Sequence, residues 1–158
     1  MRVLGISIGT RRNGFAVIAD NVLEVAHVRS RRDRWSPKKL QSLLTLYTRY
    51  IRRHHITNIV VKTPKHSHFT AALKQLIKAL ETYAKERGCL VQLTTIEHIK
   101  SQEPSIKNRN HLREFVVATY PKLVDKKDKD IKNRQPYYMK MFEATIVAHL
   151  ESSRARTE

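Results

Sequence analysis

Apolar residues fall into short blocks over the first thirty positions of the chain. Residues 2–8, 14–19 and 22–28 are rich in Val, Ile, Leu and Ala, and each block is too short for a helix of typical length. Residues 9–14 separate the first two blocks, and Asp20-Asn21 separates the second pair, so the pattern predicts three strands joined by hairpins. The period then changes. Ser36-Pro37 supplies an N-cap and a proline at the first helical position, and Leu40, Leu43, Leu44, Tyr47 and Ile51 follow at helical spacing as far as about His54. Residues 56–61 form a continuous apolar run closed by Pro64, as expected of a central strand buried on both faces.

A second amphipathic helix is predicted over residues 69–87, with Phe69, Leu73, Leu76, Ile77, Leu80 and Ala84 on one face and Gly88 as its stop. Residues 89–94 read as a strand and residues 107–119 as a helix through Leu112, Phe115, Val116 and Thr119. The charged segment 121–136 reads as an exposed loop. A last helix is predicted from about Pro136 to about Ser152, with Tyr138, Met141, Phe142, Thr145, Ile146 and His149 on one face. No internal repeat or linker divides the chain. The expectation is one domain over residues 1–152 with a short tail at 153–158. Three strands followed by helix–strand alternation predict an α/β fold, with a mixed sheet flanked by helices.

Charge changes the picture. The chain has 31 Lys and Arg against 14 Asp and Glu, a formal net charge of +17 in 158 residues. The excess is +13 over residues 1–80 and +4 over the remainder. An imbalance this large is self-repulsive and points to a polyanionic partner. No apolar run approaches membrane-spanning length, and the N-terminus lacks the pattern of a secretory signal. Cys89 is the only cysteine, so no disulfide forms within the chain and a cytoplasmic location is expected. Cys89 itself reads as a small packed residue, with no nucleophile context around it.

Three of the four glycines, Gly5, Gly9 and Gly14, lie in or beside the first hairpin. Glycine serves where the backbone takes positive φ or approaches another chain segment closely, so this turn is marked for a specific use. The stretch runs Val3-Leu4-Gly5-Ile6-Ser7-Ile8-Gly9-Thr10-Arg11-Arg12-Asn13-Gly14-Phe15-Ala16-Val17. Together with the element order it resembles the opening of the RNase H-like superfamily, and within it the RuvC and YqgF-type Holliday junction resolvases. Weaker echoes occur at Leu93-Thr94-Thr95-Ile96-Glu97 and Phe142-Glu143-Ala144. The resemblance implies a five-stranded sheet, three strands antiparallel and the rest parallel.

The resemblance also implies a site. Active members hold two divalent ions with carboxylates from the end of the first strand, the end of the fourth strand and the last helix. Such hard cations need several oxygen ligands to clamp a scissile phosphate. In this chain the matching positions are Ser7, Lys62 and Glu143, with Lys140 one turn before Glu143. One acid remains where several are needed, so metal-dependent cleavage is not expected and no cofactor is called for. Lys62 either takes over the charge of the metal by contacting phosphate or neutralises Glu143. An acid among apolar helix positions wants a partner, and a Lys62–Glu143 ion pair is the expectation.

The candidate nucleic-acid contacts are Arg11 and Arg12 in the first turn, Arg29, Arg31, Arg32 and Arg34 with Trp35 after the third strand, and Lys62 and Lys65 at the fourth. Arginines interleaved with an aromatic suit phosphate contact plus base stacking. His66 and His68 lack neighbouring acids or cysteines and read as a surface turn, not a metal site. The expected function is a RuvC-like protein that binds nucleic acid, DNA rather than RNA, without catalysis. Two alternatives stand. One is an active endonuclease using Mg²⁺ or Mn²⁺, its site rebuilt from Asp20, Glu24 or Glu97. The other is a protein-interaction module on the same scaffold. RuvC-type resolvases work as dimers, so the resemblance makes a homodimer compatible with all three readings.

Overall fold

The computed structural model describes residues 1–134 and 136–157. Five strands form one sheet in the order β3-β2-β1-β4-β5. Strands β1 (Arg2–Ser7), β2 (Arg12–Ala19) and β3 (Val22–Ser30) pair antiparallel; β4 (Asn58–Lys62) lies parallel to β1, and β5 (Leu90–Thr94) parallel to β4. This is the mixed α/β sheet expected of an RNase H-like chain. The β2–β3 connection is a two-residue turn in which Asp20 and Asn21 both take positive φ, 51° and 68°. Short polar side chains tolerate that region, which is why this dipeptide marks the hairpin.

Alternation along the strands divides the core in two. Leu4, Ile6, Ile8, Phe15, Val17, Ile59 and Val61 face helices α1 (Pro37–Arg53) and α2 (Ala71–Glu86). Val3, Ala16, Ile18, Val28 and Val60 face α6 (Met139–Thr157), backed by α3 (Ile96–Gln102) and α4 (Arg109–Thr119). Helices α1 and α2 begin as their sequences require, with the side chains of Ser36 and Thr70 accepting from the amides of Lys39 and Leu73. Residues 139–148 of α6 are buried nearly all round, because the helix lies between the sheet and α3/α4.

Three expectations are corrected. The charged segment is no loop: Pro121–Leu123 forms a 3-10 turn and Val124–Asn133 forms α5. Asp125 and Asp128 each stand four residues before a lysine, a spacing that supports a helix. The buried Asp130 then ties α5 down, accepting from the Tyr138 amide at 3.0 Å and pairing with Arg113 of α4 at 3.6 Å. Second, α3 was not anticipated; at seven residues it is too short to show a period. Third, α6 starts at Met139 and continues to Thr157, through most of the expected tail. Positions 135 and 158, which fall in the expected loop and tail, lie outside the described residues. Among the described residues no helix is long and apolar enough to cross a membrane.

Candidate nucleic-acid interface

The carboxyl ends of β1 and β4 bring Ser7 and Lys62 side by side, and Gly14 of β2 flanks Ser7 on its other side. Helix α6 crosses above them at backbone contact. A Cβ on Gly5 would stand 2.1 Å from the carbonyl oxygen of Ala144, and one on Gly14 would stand 1.9 Å from that of Lys140. These glycines therefore serve close approach and not positive φ, which among the four glycines Gly88 alone adopts. The approach lowers Glu143 onto the strand ends.

Glu143 is fully engaged there. Its Oε1 accepts from the Ser7 hydroxyl at 2.8 Å, and its Oε2 lies 3.1 Å from Lys62 Nζ. Both charged side chains are only 14% exposed, so the ion pair anticipated from the sequence is present and well shielded from water. The ammonium of Lys140 donates to the carbonyl of Ile8 at 3.1 Å. Burial pushes that lysine down to about 8. Glu143 opposes the shift, and Lys62 and Arg12 add to it.

The residues present do not fit a pair of divalent ions. One carboxylate is available and both its oxygens are occupied by a hydroxyl and an ammonium; two lysines supply positive charge where the ions would add more. Asp20 and Glu24 lie toward the opposite end of the sheet, Asp20 in the turn after Ala19 and Glu24 at the β2–β3 register shift, with Glu24 held by Arg2 at 2.8 Å. Glu97 sits exposed on the first turn of α3. Among the described residues, no three His, Cys, Asp or Glu side chains gather as a metal site, His66 and His68 included.

Lys140 yields a testable consequence. Its folded-state value lies below the ordinary 10.5, so between about pH 8 and 10.5 the unfolded chain binds the extra proton and stability rises with pH. A Lys140→Met chain lacks this dependence. Its melting temperature is expected to exceed that of the parent most below about pH 8, with the gap closing as pH approaches about 10. A gap that stays constant across this range would show that the ammonium is well solvated.

Basic side chains flank the site on both sides. On one, Arg11, Arg12 and Arg32 line a recess with Lys140. The Arg12 guanidinium lies 4.7 Å from the Tyr137 ring centroid, and its Nε is buried with no hydrogen-bond partner. On the other side, Lys62 and Lys65 line a cleft with His68, Lys100 and Arg109. Lys100 and Arg109 had no sequence signal, since they come from α3 and the start of α4.

Two other groups missed in the sequence set the geometry of the arginine segments. Asn13 accepts from the Gly9 amide at 3.1 Å, donates to the Gly9 carbonyl at 2.9 Å and accepts from the Tyr47 hydroxyl at 2.6 Å. That clamp shapes the turn bearing Arg11 and Arg12, and full burial raises the Tyr47 phenol well above its usual range. Lys39, only 2% exposed, donates its ammonium to the carbonyls of Arg31 and Asp33 and holds the segment after β3 against α1.

The expected cluster after β3 disperses. Arg31 lies 3.6 Å from Asp33, and Arg34 is exposed. Trp35 is half-buried against the α1/α2 core with its indole N–H donating to Gln75 at 3.3 Å, which anchors the segment. Arg29 faces α1, away from the strand-end site. Cys89 donates to the Ile56 carbonyl at 3.2 Å, and burial raises its thiol against the opposing pull of Arg87, as suits a packing residue.

Sheet order and helix placement are those of a RuvC-like, RNase H-like fold. The solved structures agree. The chain superposes on Thermus thermophilus RuvC in complex with a Holliday junction substrate with a TM-score of 0.74 at 14% identity, covering 99% of this chain and 96% of that one. For the yeast mitochondrial Holliday junction resolvase the TM-score is 0.61 at 14% identity, covering 93% and 75%. For the Fowlpox virus resolvase with Holliday junction DNA it is 0.55 at 13%, covering 96% and 98%. No protein-family model matches the sequence, and no curated protein matches it.

Proposed function

We propose that the protein binds nucleic acid, duplex or branched DNA in particular, across the carboxyl edge of its sheet, and does not cut it by the two-metal route. The observation that carries this reading is the closed Ser7–Glu143–Lys62 arrangement with basic recesses on either side. Cations built into the protein replace the charge that bound ions would supply, so backbone phosphates are attracted to a site that cannot activate water for attack. Arg11, Arg12, Arg32, Lys65 and the missed Lys100 and Arg109 contact phosphate in this scheme, and Lys140 and Lys62 lie between the two groups. The solved structures named above as complexes hold Holliday junctions, which favours branched DNA as the first ligand to try.

The test is a binding and cleavage panel over junction, duplex and single-stranded DNA, with Mg²⁺, with Mn²⁺ and with chelator. Binding is expected to persist in chelator and to be weakened by either ion only through competition for the phosphates, and every substrate is expected to stay intact. Metal-dependent cleavage that disappears in Glu143→Ala would defeat the proposal. Restoring acids in Ser7→Asp/Lys62→Glu should give measurable Mn²⁺ binding by calorimetry. A restored chain that takes up no ion would mean that the site has been wrongly located.

A further inference from the structure

The positive charge is not confined to the strand edge. Alternation along β3 sends Val28 to the α6 side and Arg29 to the opposite face, against the last turns of α1. There Arg29, Arg49 and Arg53 line a recess together with His27, His54 and Tyr50. Among the described residues no carboxylate pairs with any of these three arginines. Glu24, the acid on β3, is taken by Arg2 at 2.8 Å and approaches His54 at 3.4 Å. Helix α1 itself carries five Lys and Arg and no acid.

The floor of the recess is built. The Tyr50 ring stacks on Phe15 at 4.3 Å between centroids, with the rings 12° from parallel. Its hydroxyl lies 3.0 Å from His27 Nδ1, and Arg29 Nη2 lies 3.3 Å from the same nitrogen. A guanidinium can only donate, so Nδ1 accepts and the imidazole is neutral with its proton on Nε2. Burial, then Arg29, His54 and Lys126, hold His27 below its ordinary value, in agreement. The recess therefore offers three guanidiniums and a neutral ring, and no Asp or Glu lines it. Guanidinium forks match phosphate oxygens, and the exposed Arg52, next to Arg53 in the chain, adds positive charge beyond the residues that line the recess.

We infer that this α1–β3 recess is a second phosphodiester-binding site, taking the backbone of a nucleic-acid segment other than the one at the strand edge. The inference rests on the nucleic-acid reading above and adds to it that the chain joins two segments. Lys140, Glu143 and the α6 side of the strand edge lie on one face of the sheet, and the recess lies on the other. A positive surface longer than the recess favours a polymer backbone over a free phosphate or nucleotide.

Two measurements on the full chain test it. In the first, protein bound to an immobilised duplex is offered a second, labelled duplex. The parent chain is expected to capture it. Arg49→Gln/Arg53→Gln should bind the first duplex within about twofold of the parent affinity and lose capture at least about tenfold, since removing charge contacts acts on the segment they touch. Equal capture by the double variant, including capture through a dimer using two strand edges, would overturn the inference.

In the second measurement, the His27 ring resonances are followed by NMR during titration with duplex and, separately, with inorganic phosphate. A shift with duplex that is absent in Arg49→Gln/Arg53→Gln and persists in Arg11→Gln/Arg12→Gln supports the assignment. No shift with duplex, or an equal shift with inorganic phosphate at the same concentration, overturns it. Failure of the strand-edge reading looks different. There Arg11→Gln/Arg12→Gln would leave duplex affinity unchanged while the His27 response remained.

Discussion

Affinity for duplex DNA is expected to fall by about 10³- to 10⁵-fold between about 50 and 200 mM salt, the loss that follows if six to ten phosphates are neutralised. The basis is the composition of the interface. The strand edge and its flanks present Arg11, Arg12, Arg32, Lys62, Lys65, Lys100 and Arg109, and among the described residues Glu143 is the one acid lining these recesses. Each phosphate neutralised by a protein cation releases condensed counterion and adds roughly −0.9 to the slope of log affinity against log salt on duplex DNA. Arg11→Gln/Arg12→Gln should lower the steepness by about two such steps and weaken binding across sequences alike. Fluorescence anisotropy at several salt concentrations measures both quantities. A flat salt profile would exclude backbone contact as the source of affinity, and with it the proposed role of the basic recesses.

Gly14→Ala is expected to destabilise the fold by about 3 kcal/mol or more, at or beyond the upper end of ordinary overpacking effects. The added methyl would lie 1.9 Å from the Lys140 carbonyl oxygen and 2.6 Å from the Met141 amide nitrogen, so no side-chain rotation relieves it. The backbone of α6 must lift away from β2, which also withdraws Lys140 and Glu143 from the strand ends. Denaturant unfolding monitored by circular dichroism gives the stability, and duplex binding of whatever remains folded gives the site. The same change at Gly88, where nothing lies within 4 Å but φ is +74°, tests conformational strain alone and should be milder. An unchanged midpoint for Gly14→Ala would mean that α6 does not pack at backbone contact.

Much of this architecture is legible in the chain. Blocks of alternating or continuous apolar residues mark every strand, and Ser36-Pro37 marks the start of α1. Ser7, Lys62 and Glu143 can be expected to meet because the hairpin motif locates the first and the element order the others, and the fold brings the three side chains together. The ion pair follows from burial alone, since a shielded carboxylate needs a counter-charge. Helices α3 and α5 are not legible. One is too short for periodicity, and the other is tied down through Asp130, whose partners are Arg113 of α4 and Tyr138 in the turn before α6.

The arginine cluster shows the boundary most clearly. Sequence proximity groups Arg29, Arg31, Arg32, Arg34 and Trp35 as one patch. In the fold, strand alternation turns Arg29 to the α1 side, Gln75 captures the Trp35 indole, and Lys39 holds the carbonyls between them.

Local order, hairpin chemistry and charge excess are properties of composition and of neighbouring residues, so the chain states them outright. Which cations share a recess, and on which face of the sheet, depends on contacts between residues far apart in the chain. Lys140 reaches Ile8 across 132 positions, and Ser7 reaches Glu143 across 136. Only packing at the α6–sheet and α1–β3 contacts makes that choice, because it decides which side chains lose water together and must satisfy one another.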